Sequence, residues 1–278
     1  KLASGAASLM QQQGLDAATA RLESRILMAH ALNVSHAWLI AHELDPLDEG
    51  RAGRYETLLA RRLRGEPIAY ITGVKEFFGR DFLVTPDVLI PRPETELLVE
   101  LALARCRNHA CRILDLGAGS GCLAVTLALE CSNAVVCAVE ASGAALAVAR
   151  QNARQNRAQV EFIFGRWFEE LGERKFDIIV TNPPYIAPDD PHLSQGDVRF
   201  EPPGALIADH GGLADLAEII RCAGRHLMPG GCLLLEHGYD QAERVRSLLG
   251  NTGFRQVQTW RDLAGLERVT GGCLGLSE

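Results

Sequence analysis

The sequence predicts a doubly wound α/β sheet preceded by a small helical domain. Three observations predict it. From Arg112 onward, short apolar and β-branched runs alternate with helical stretches, the pattern of strands joined by crossover helices. Before about residue 73 the apolar periodicity is helical only. Between the two regions, Val74 to Val84 holds two short extended runs around a glycine. The domain plan is therefore a helical region at 1–73, a β-hairpin linker at 74–90 and an α/β region at 91–278.

In the first region, Leu22, Ile26, Ala29 and His30 recur at helical spacing and predict one apolar stripe. Ser35 is placed to cap a short helix through Ala41, and Asp48 to cap another through Arg64. The latter carries Arg51, Arg54, Arg61, Arg62 and Arg64, which read as a solvated face. Residues 1–73 hold eight basic and eight acidic side chains, so the net charge of −7 belongs to the remainder.

In the linker, Gly79-Arg80 suits a two-residue turn with glycine first. Pro93, followed by Glu94 and Glu96, suits the start of a helix reaching about Arg107. Strands are expected at 112–116, 134–140, 160–164, 176–181, 232–236, 254–259 and 268–273. Helices are expected at 120–130, 142–156, 212–227 and 239–250. No helix separates the last two strands, so that pair is expected to be antiparallel. In such sheets ligands sit at the carboxyl ends of the strands.

Composition excludes several classes. No apolar run is long enough to span a bilayer, and Lys1 to Gln13 lacks the apolar core of a signal peptide. The expected compartment is therefore cytoplasmic, with no membrane partner. The chain opens on Lys1 and not Met, as a start inside a longer sequence would. The acidic balance argues against stable nucleic-acid binding, which relies on Lys and Arg against phosphates. Cys106, Cys111, Cys122, Cys131, Cys137, Cys222, Cys232 and Cys273 form no C-x-x-C pair. They read as small buried thiols, with neither a metal site nor a disulfide framework expected. A monomer is the expected state.

Asp115-Leu116-Gly117-Ala118-Gly119-Ser120-Gly121 joins the first expected strand to a helix. By itself it is a tight turn or a loop that lets a ligand approach backbone. The spacing is G-x-G-x-G, not the G-x-G-x-x-G of dinucleotide folds, and no phosphate-binding lysine follows. Glu140 ends the second strand, either as an acid at a helix start or as acceptor for two ribose hydroxyls. Loop and acid together suit a nucleoside without pyrophosphate. S-adenosylmethionine fits, with Asp115 near its ammonium group and S-adenosyl-L-homocysteine as the product left behind. Trp167 in Gly165-Arg166-Trp167-Phe168 either covers an adenine face or is a core residue.

Thr181-Asn182-Pro183-Pro184-Tyr185-Ile186 ends the fourth strand. Its two prolines stiffen the turn and remove two donors. The Asn182 side-chain oxygen and the Pro183 carbonyl are left as acceptors, with Tyr185 as a flat face. That set suits a planar –NH₂ group held by both hydrogens. Positive charge grows on such a nitrogen as it takes a methyl group, so fixed acceptors gain strength in the transition state.

These residues resemble the release-factor glutamine methyltransferase family. The shared marks are Pro67-Ile68-Ala69-Tyr70-Ile71-Thr72-Gly73, Pro91-Arg92-Pro93-Glu94-Thr95-Glu96, the Asp115–Gly121 loop and Asn182–Tyr185. Glu201-Pro202, Leu233-Leu234-Leu235-Glu236 and Arg261-Asp262-Leu263-Ala264-Gly265 complete the set. The resemblance implies a Rossmann-like class I methyltransferase with a helical substrate-recognition domain. It implies methyl transfer from S-adenosyl-L-methionine to the glutamine amide of the Gly-Gly-Gln motif in class I peptide-chain release factors. Cofactor contacts would fall on Gly117 to Gly121, Glu140, Trp167 and Asn182, and substrate contacts on Asn182, Pro183, Pro184 and Tyr185. Arg166 departs from the family, which usually carries an acid there, and Glu140 stands where Asp is common. The competing readings are an N6-adenine DNA or RNA methyltransferase gripping a flipped base, a ribosomal-protein glutamine methyltransferase, and a non-enzymatic nucleoside-binding scaffold.

Overall fold

A computed structural model describes residues 1–42, 44–106 and 110–276. Arg107, the expected end of the helix that follows Pro93, lies outside the described residues. The chain divides into two compact units, Lys1–Val74 with Ser194–Phe200, and Lys75–Leu193 with Glu201–Glu278.

In the first unit, α1 (Leu2–Gln13), α2 (Ala17–Leu32), α3 (His36–Ala41), α4 (Glu49–Leu63) and α5 (Ile68–Thr72) follow one another. The expected caps hold: Ser35 accepts from Trp38 N, and Asp48 from Arg51 N. The stripe expected on α2 is rotated. Its buried face is Ala20, Ser24, Leu27, Met28, Ala29 and Ala31; of the four expected residues Ala29 is buried, Ile26 is half-buried, and Leu22 and His30 are exposed. Both sets have helical spacing, and the four residues chosen from sequence could not say which one meets α4. Ser24 and Tyr55 settle that contact, hydroxyl to hydroxyl at 2.8 Å in the buried interior.

Arg62 corrects the reading of α4 as a solvated arginine face. Its side chain is only 7% exposed. It donates to both Glu23 carboxylate oxygens, at 2.8 and 3.0 Å, and to Asp197 at 3.0 Å. Arg61 pairs with Glu66, and Arg54 donates to the Ala31 carbonyl. Removing one partner of a buried ion pair is far more damaging than losing a surface pair. Arg62→Ala is therefore expected to speed amide hydrogen exchange in α2 and α4 on the order of a hundredfold, the equivalent of about 3 kcal/mol. Exchange within a few-fold of wild type would make the network dispensable.

A hairpin of β1 (Val74–Phe77) and β2 (Arg80–Leu83) follows. Its turn is Phe78-Gly79 and not Gly79-Arg80, with φ of 51° and 75°. Two positive φ values in succession suit the twist of a tight hairpin. Phe78 accepts that conformation while its backbone N–H is held by Glu96 Oε1 at 2.9 Å.

The second unit continues with a short 3₁₀ turn at Pro93–Thr95 and α6 (Glu96–Arg105). Next come β3 (Cys111–Leu116), α7 (Cys122–Glu130), β4 (Ala134–Glu140), α8 (Gly143–Asn156), β5 (Val160–Phe164) and β6 (Phe176–Thr181). A turn-like α9 (Asp209–Gly212) precedes α10 (Ala214–Ala223), β7 (Leu227–Glu236), α11 (Ala242–Asn251), β8 (Arg255–Arg261) and β9 (Glu267–Cys273). The strands form one seven-stranded sheet in the order β5-β4-β3-β6-β7-β9-β8. Neighbours from β5 through β7 are parallel, and β9 is antiparallel to both β7 and β8.

Alternation along the strands divides the core. Ile113 faces a cluster with Leu98 of α6, Leu127 of α7 and Ala153 of α8. Its neighbours Leu114 and Leu116 face the opposite cluster, with Ile219 of α10 and Val245 of α11. Both sheet faces are therefore covered, and the open rim is where the parallel strands end.

The cysteine expectation needs correction. Cys232 and Cys273 are directly opposed in the β7–β9 register and are joined by a disulfide. A separation of 41 residues gives no spacing signal, because the pair is made by strand register. Cys106, Cys111, Cys122 and Cys137 are free and buried, as expected, while Cys131 and Cys222 are free and half-buried.

Candidate active site

A cavity of about 570 Å³ opens at the carboxyl ends of the parallel strands. It is lined by Asp115, Gly117, Ala118, Gly119, Ser120, Glu140, Trp167, Asn182 and Pro184 among the residues singled out from sequence. The other three are placed differently. Gly121 lies behind the loop, where a Cβ would press on Ala149 of α8 at 3.0 Å, and its φ is +79°. Pro183 and Tyr185 do not line the cavity. Tyr185 instead donates its hydroxyl to Glu236 Oε1 at 3.2 Å, and burial pushes its pKa up.

The glycine loop is built around the end of β4. Gly117 N and Ala118 N donate to the Val139 carbonyl at 2.9 and 3.0 Å. Gly119 N donates to Glu140 Oε2, and Ser142 N to Glu140 Oε1, each at 2.8 Å. Both readings of Glu140 thus have a structural basis. One oxygen tethers the loop that borders the cavity, and the other holds the start of α8. A carboxylate oxygen has a second lone-pair site, so neither bond excludes ribose hydroxyls.

Trp167 lies over the loop, so that a Cβ on Gly117 would meet its ring at 3.3 Å. Its own φ of +50° is left-handed, a conformation seldom adopted by large side chains. Arg166 lies 5.5 Å from the Trp167 ring centroid. Its guanidinium is bound to Asp215 and Glu218 of α10, each at 2.8 Å. Asp215 itself lines the cavity, so the wall there carries a carboxylate, supplied by α10.

Asp115 is buried, with Oδ2 lacking any hydrogen-bond partner. Burial pushes its pKa up to about 7; the Ala124 backbone N–H opposes this, and the charge of Glu140 adds to it. A buried carboxylate with one oxygen unpartnered is costly unless a cation meets it. S-adenosylmethionine offers an ammonium group, so this donor set fits that cofactor.

Below pH 7 the free Asp115 is mostly protonated, while a cation selects the ionised form. Cofactor affinity is therefore expected to rise about tenfold between pH 5.5 and 7. In Asp115→Asn that rise should vanish. Titration calorimetry at the two pH values decides it, and a flat wild-type profile would place the ammonium elsewhere.

The Asn182–Tyr185 loop leaves β6 at Thr181, whose hydroxyl donates to the Leu116 carbonyl at 2.7 Å. Ile186 N donates to Leu206 O, and Ala208 N to Ile186 O, each at 2.9 Å. Gln241 Nε2 donates to the Tyr185 carbonyl at 2.9 Å. Asn182 Nδ2 donates to Thr95 Oγ1 at 3.1 Å, leaving Oδ1 as the unspent acceptor.

Several lining residues escaped the sequence reading. Arg92 and Thr95 belong to the Pro91–Glu96 segment, which was read only as a helix start and a family mark. Asp87, Val88 and Leu89 precede it. Glu201 fixes this wall, accepting from Ile90 N at 3.1 Å and pairing with Arg92. Repetition of Pro and acid in Pro91–Glu96 was the available signal, but the 109-residue separation from Glu201 concealed the partner.

The sheet order, the antiparallel β9 and the rim cavity define a Rossmann-like class I methyltransferase. A methyltransferase of solved structure from Pyrococcus furiosus shares the fold, with TM-score 0.56 and 20% identity over 80% of this chain and 100% of that one. The family model described as methyltransferase small domain matches residues 93–198, and that described as PrmC N-terminal domain matches residues 2–73. A release factor glutamine methyltransferase from Bordetella pertussis is 51% identical over 96% of this chain and 100% of its own length. Another, from Burkholderia pseudomallei, is 50% identical over 97% of this chain and 96% of its own. This chain belongs to the release factor glutamine methyltransferase family.

Proposed function

We propose that this protein transfers a methyl group from S-adenosylmethionine to the side-chain amide nitrogen of glutamine in the Gly-Gly-Gln motif of class I peptide-chain release factors. The observation that carries the reading is the placement of Asn182 on the wall of the same cavity as Asp115, the glycine loop and Glu140. The names of the relatives point to the same substrate.

The cofactor supplies an electrophilic methyl group on a sulfonium centre. Asp115 would receive the ammonium end, Glu140 the ribose hydroxyls, and Trp167 the base. Asn182 Oδ1 would accept a hydrogen of the glutamine –NH₂; the Pro183 carbonyl, expected from sequence as the second acceptor, belongs to a residue that does not line the cavity. That grip orients a nitrogen whose lone pair is delocalised, and it favours pyramidalisation toward the methyl group. It tightens as positive charge develops on nitrogen. No general base is required, because the product proton can leave to water afterwards.

A Gly-Gly-Gln tip offers few side-chain atoms, so discrimination must come from surfaces outside the cavity. The helical unit at 1–73 is assigned that role. Hydrogen exchange with and without release factor tests it: protection is expected in α1 to α5, and its absence there would move recognition elsewhere. Among the described residues no helix is long and apolar enough to cross a membrane.

Purified protein with labelled cofactor, offered release factor, ribosomal protein and duplex DNA separately, tests the assignment. Label is expected on release factor alone. Label on DNA would favour an adenine methyltransferase, and label on ribosomal protein the sister glutamine enzyme.

A further inference from the structure

Three residues far apart in sequence form a chain of hydrogen bonds behind Asn182. Glu236 ends β7 and is 1% exposed; Thr95 is 4% exposed. Thr95 Oγ1 lies 2.7 Å from Glu236 Oε2 and 3.1 Å from Asn182 Nδ2. Glu236 Oε1 receives the Tyr185 hydroxyl. Glu236 itself does not line the cavity.

A hydroxyl has one hydrogen to give. An ionised Glu236 has none, so the hydrogen of Thr95 is committed to it. Only lone pairs of Thr95 Oγ1 then face Asn182, and a lone pair can be met only by the –NH₂ end of that side chain. The opposite end, Oδ1, is thereby turned toward the cavity. With the amide flipped, two acceptors would face each other at Thr95, and two sets of donors would meet at the substrate.

We infer that Glu236 and Thr95 are positioning residues that fix the amide orientation of Asn182, so that its oxygen and not its –NH₂ is presented to the incoming amide. The inference rests on the reading of Asn182 as acceptor for the reacting –NH₂ group. It gives Thr95 and Glu236 a role in the rate step without contact with the reacting atoms.

The test compares Thr95→Val, which keeps shape but loses the hydroxyl, with Thr95→Ser, which keeps it. Burial pushes the Glu236 carboxyl up to about 7, so assays use a pH of about 8, where it is mostly ionised, with wild-type and Asn182→Ala backgrounds and single-turnover methyl transfer to release factor. Thr95→Val is expected to lower kcat on the order of ten- to a hundredfold, the cost of a misplaced reacting geometry. KM for release factor and Kd for cofactor should stay within about twofold, and Thr95→Ser within about threefold of wild type in kcat. In the Asn182→Ala background, Thr95→Val should cause no further loss, since its effect runs through Asn182. Full activity of Thr95→Val, failure of Thr95→Ser to restore it, or an equal loss in both backgrounds would overturn the inference. Thr95→Ala, which leaves room for water, carries the same expectations if the valine variant does not fold. Should wild-type protein leave release factor unmethylated, the functional reading fails by itself, and the same variants are judged on the amide or amine that wild type does methylate.

Discussion

Asn182→Ala is expected to lower the rate of methyl transfer by ~10²–10³ while leaving cofactor binding nearly intact. Its side chain is an acceptor on the cavity wall whose opposite end is already tied, through Nδ2 to Thr95. Loss of Oδ1 removes a contact that strengthens only as charge grows on the substrate nitrogen. Such a contact raises kcat and contributes little to ground-state binding. Single-turnover kinetics at saturating release factor, beside calorimetry with the cofactor, separates the two. Near-normal turnover would remove Asn182 from the chemistry, and an equal fall in cofactor affinity would make it a binding residue instead.

Glu140→Ala is expected to weaken cofactor binding at least tenfold, because a charge-assisted hydrogen bond contributes roughly 1.5–3 kcal/mol and a ribose offers two hydroxyls. The structure adds a second route to the same loss. Glu140 also holds Gly119 N, so its removal loosens the loop under the nucleoside. Glu140→Gln separates the routes: it keeps one acceptor for a tether and loses the charge. A cofactor Kd unchanged in a folded Glu140→Ala protein would reduce this residue to the start of α8.

What was legible in the sequence follows a physical rule. Contiguous signals were readable: β3 to β6 are short apolar runs, and the glycine loop, Glu140 and Asn182 sit at their carboxyl ends. Given the fold, that common position places them on one rim. The lack of a helix before the last strand was likewise enough to expect β9 antiparallel to β8, whereas its antiparallel pairing with β7 came only from the fold.

Partners set by folding were not legible. Thr95 and Glu236 are 141 residues apart, and Arg62 and Asp197 are 135 apart. Nothing local marks either pair. Arg62 looked like one arginine among five on a polar helix, and only the fold brings Glu23 and Asp197 to it. The Cys232–Cys273 bond depends on strand register, which a spacing count does not contain. Phe78 in the hairpin turn was missed for another reason: a bulky residue at positive φ runs against local preference, and a hydrogen bond from its backbone to Glu96 holds it there. Tyr185 was assigned a flat face for the substrate from its place in the motif, yet its hydroxyl reaches inward to Glu236.

The most direct test of the account is mass spectrometry of the release-factor tryptic peptide that carries Gly-Gly-Gln, before and after incubation with this protein and S-adenosylmethionine. The account predicts one added methyl group on the glutamine side chain, absent without cofactor and strongly reduced with Asn182→Ala. An unmodified glutamine in the presence of folded, cofactor-binding protein, or a methyl group on another residue of that peptide, would contradict it.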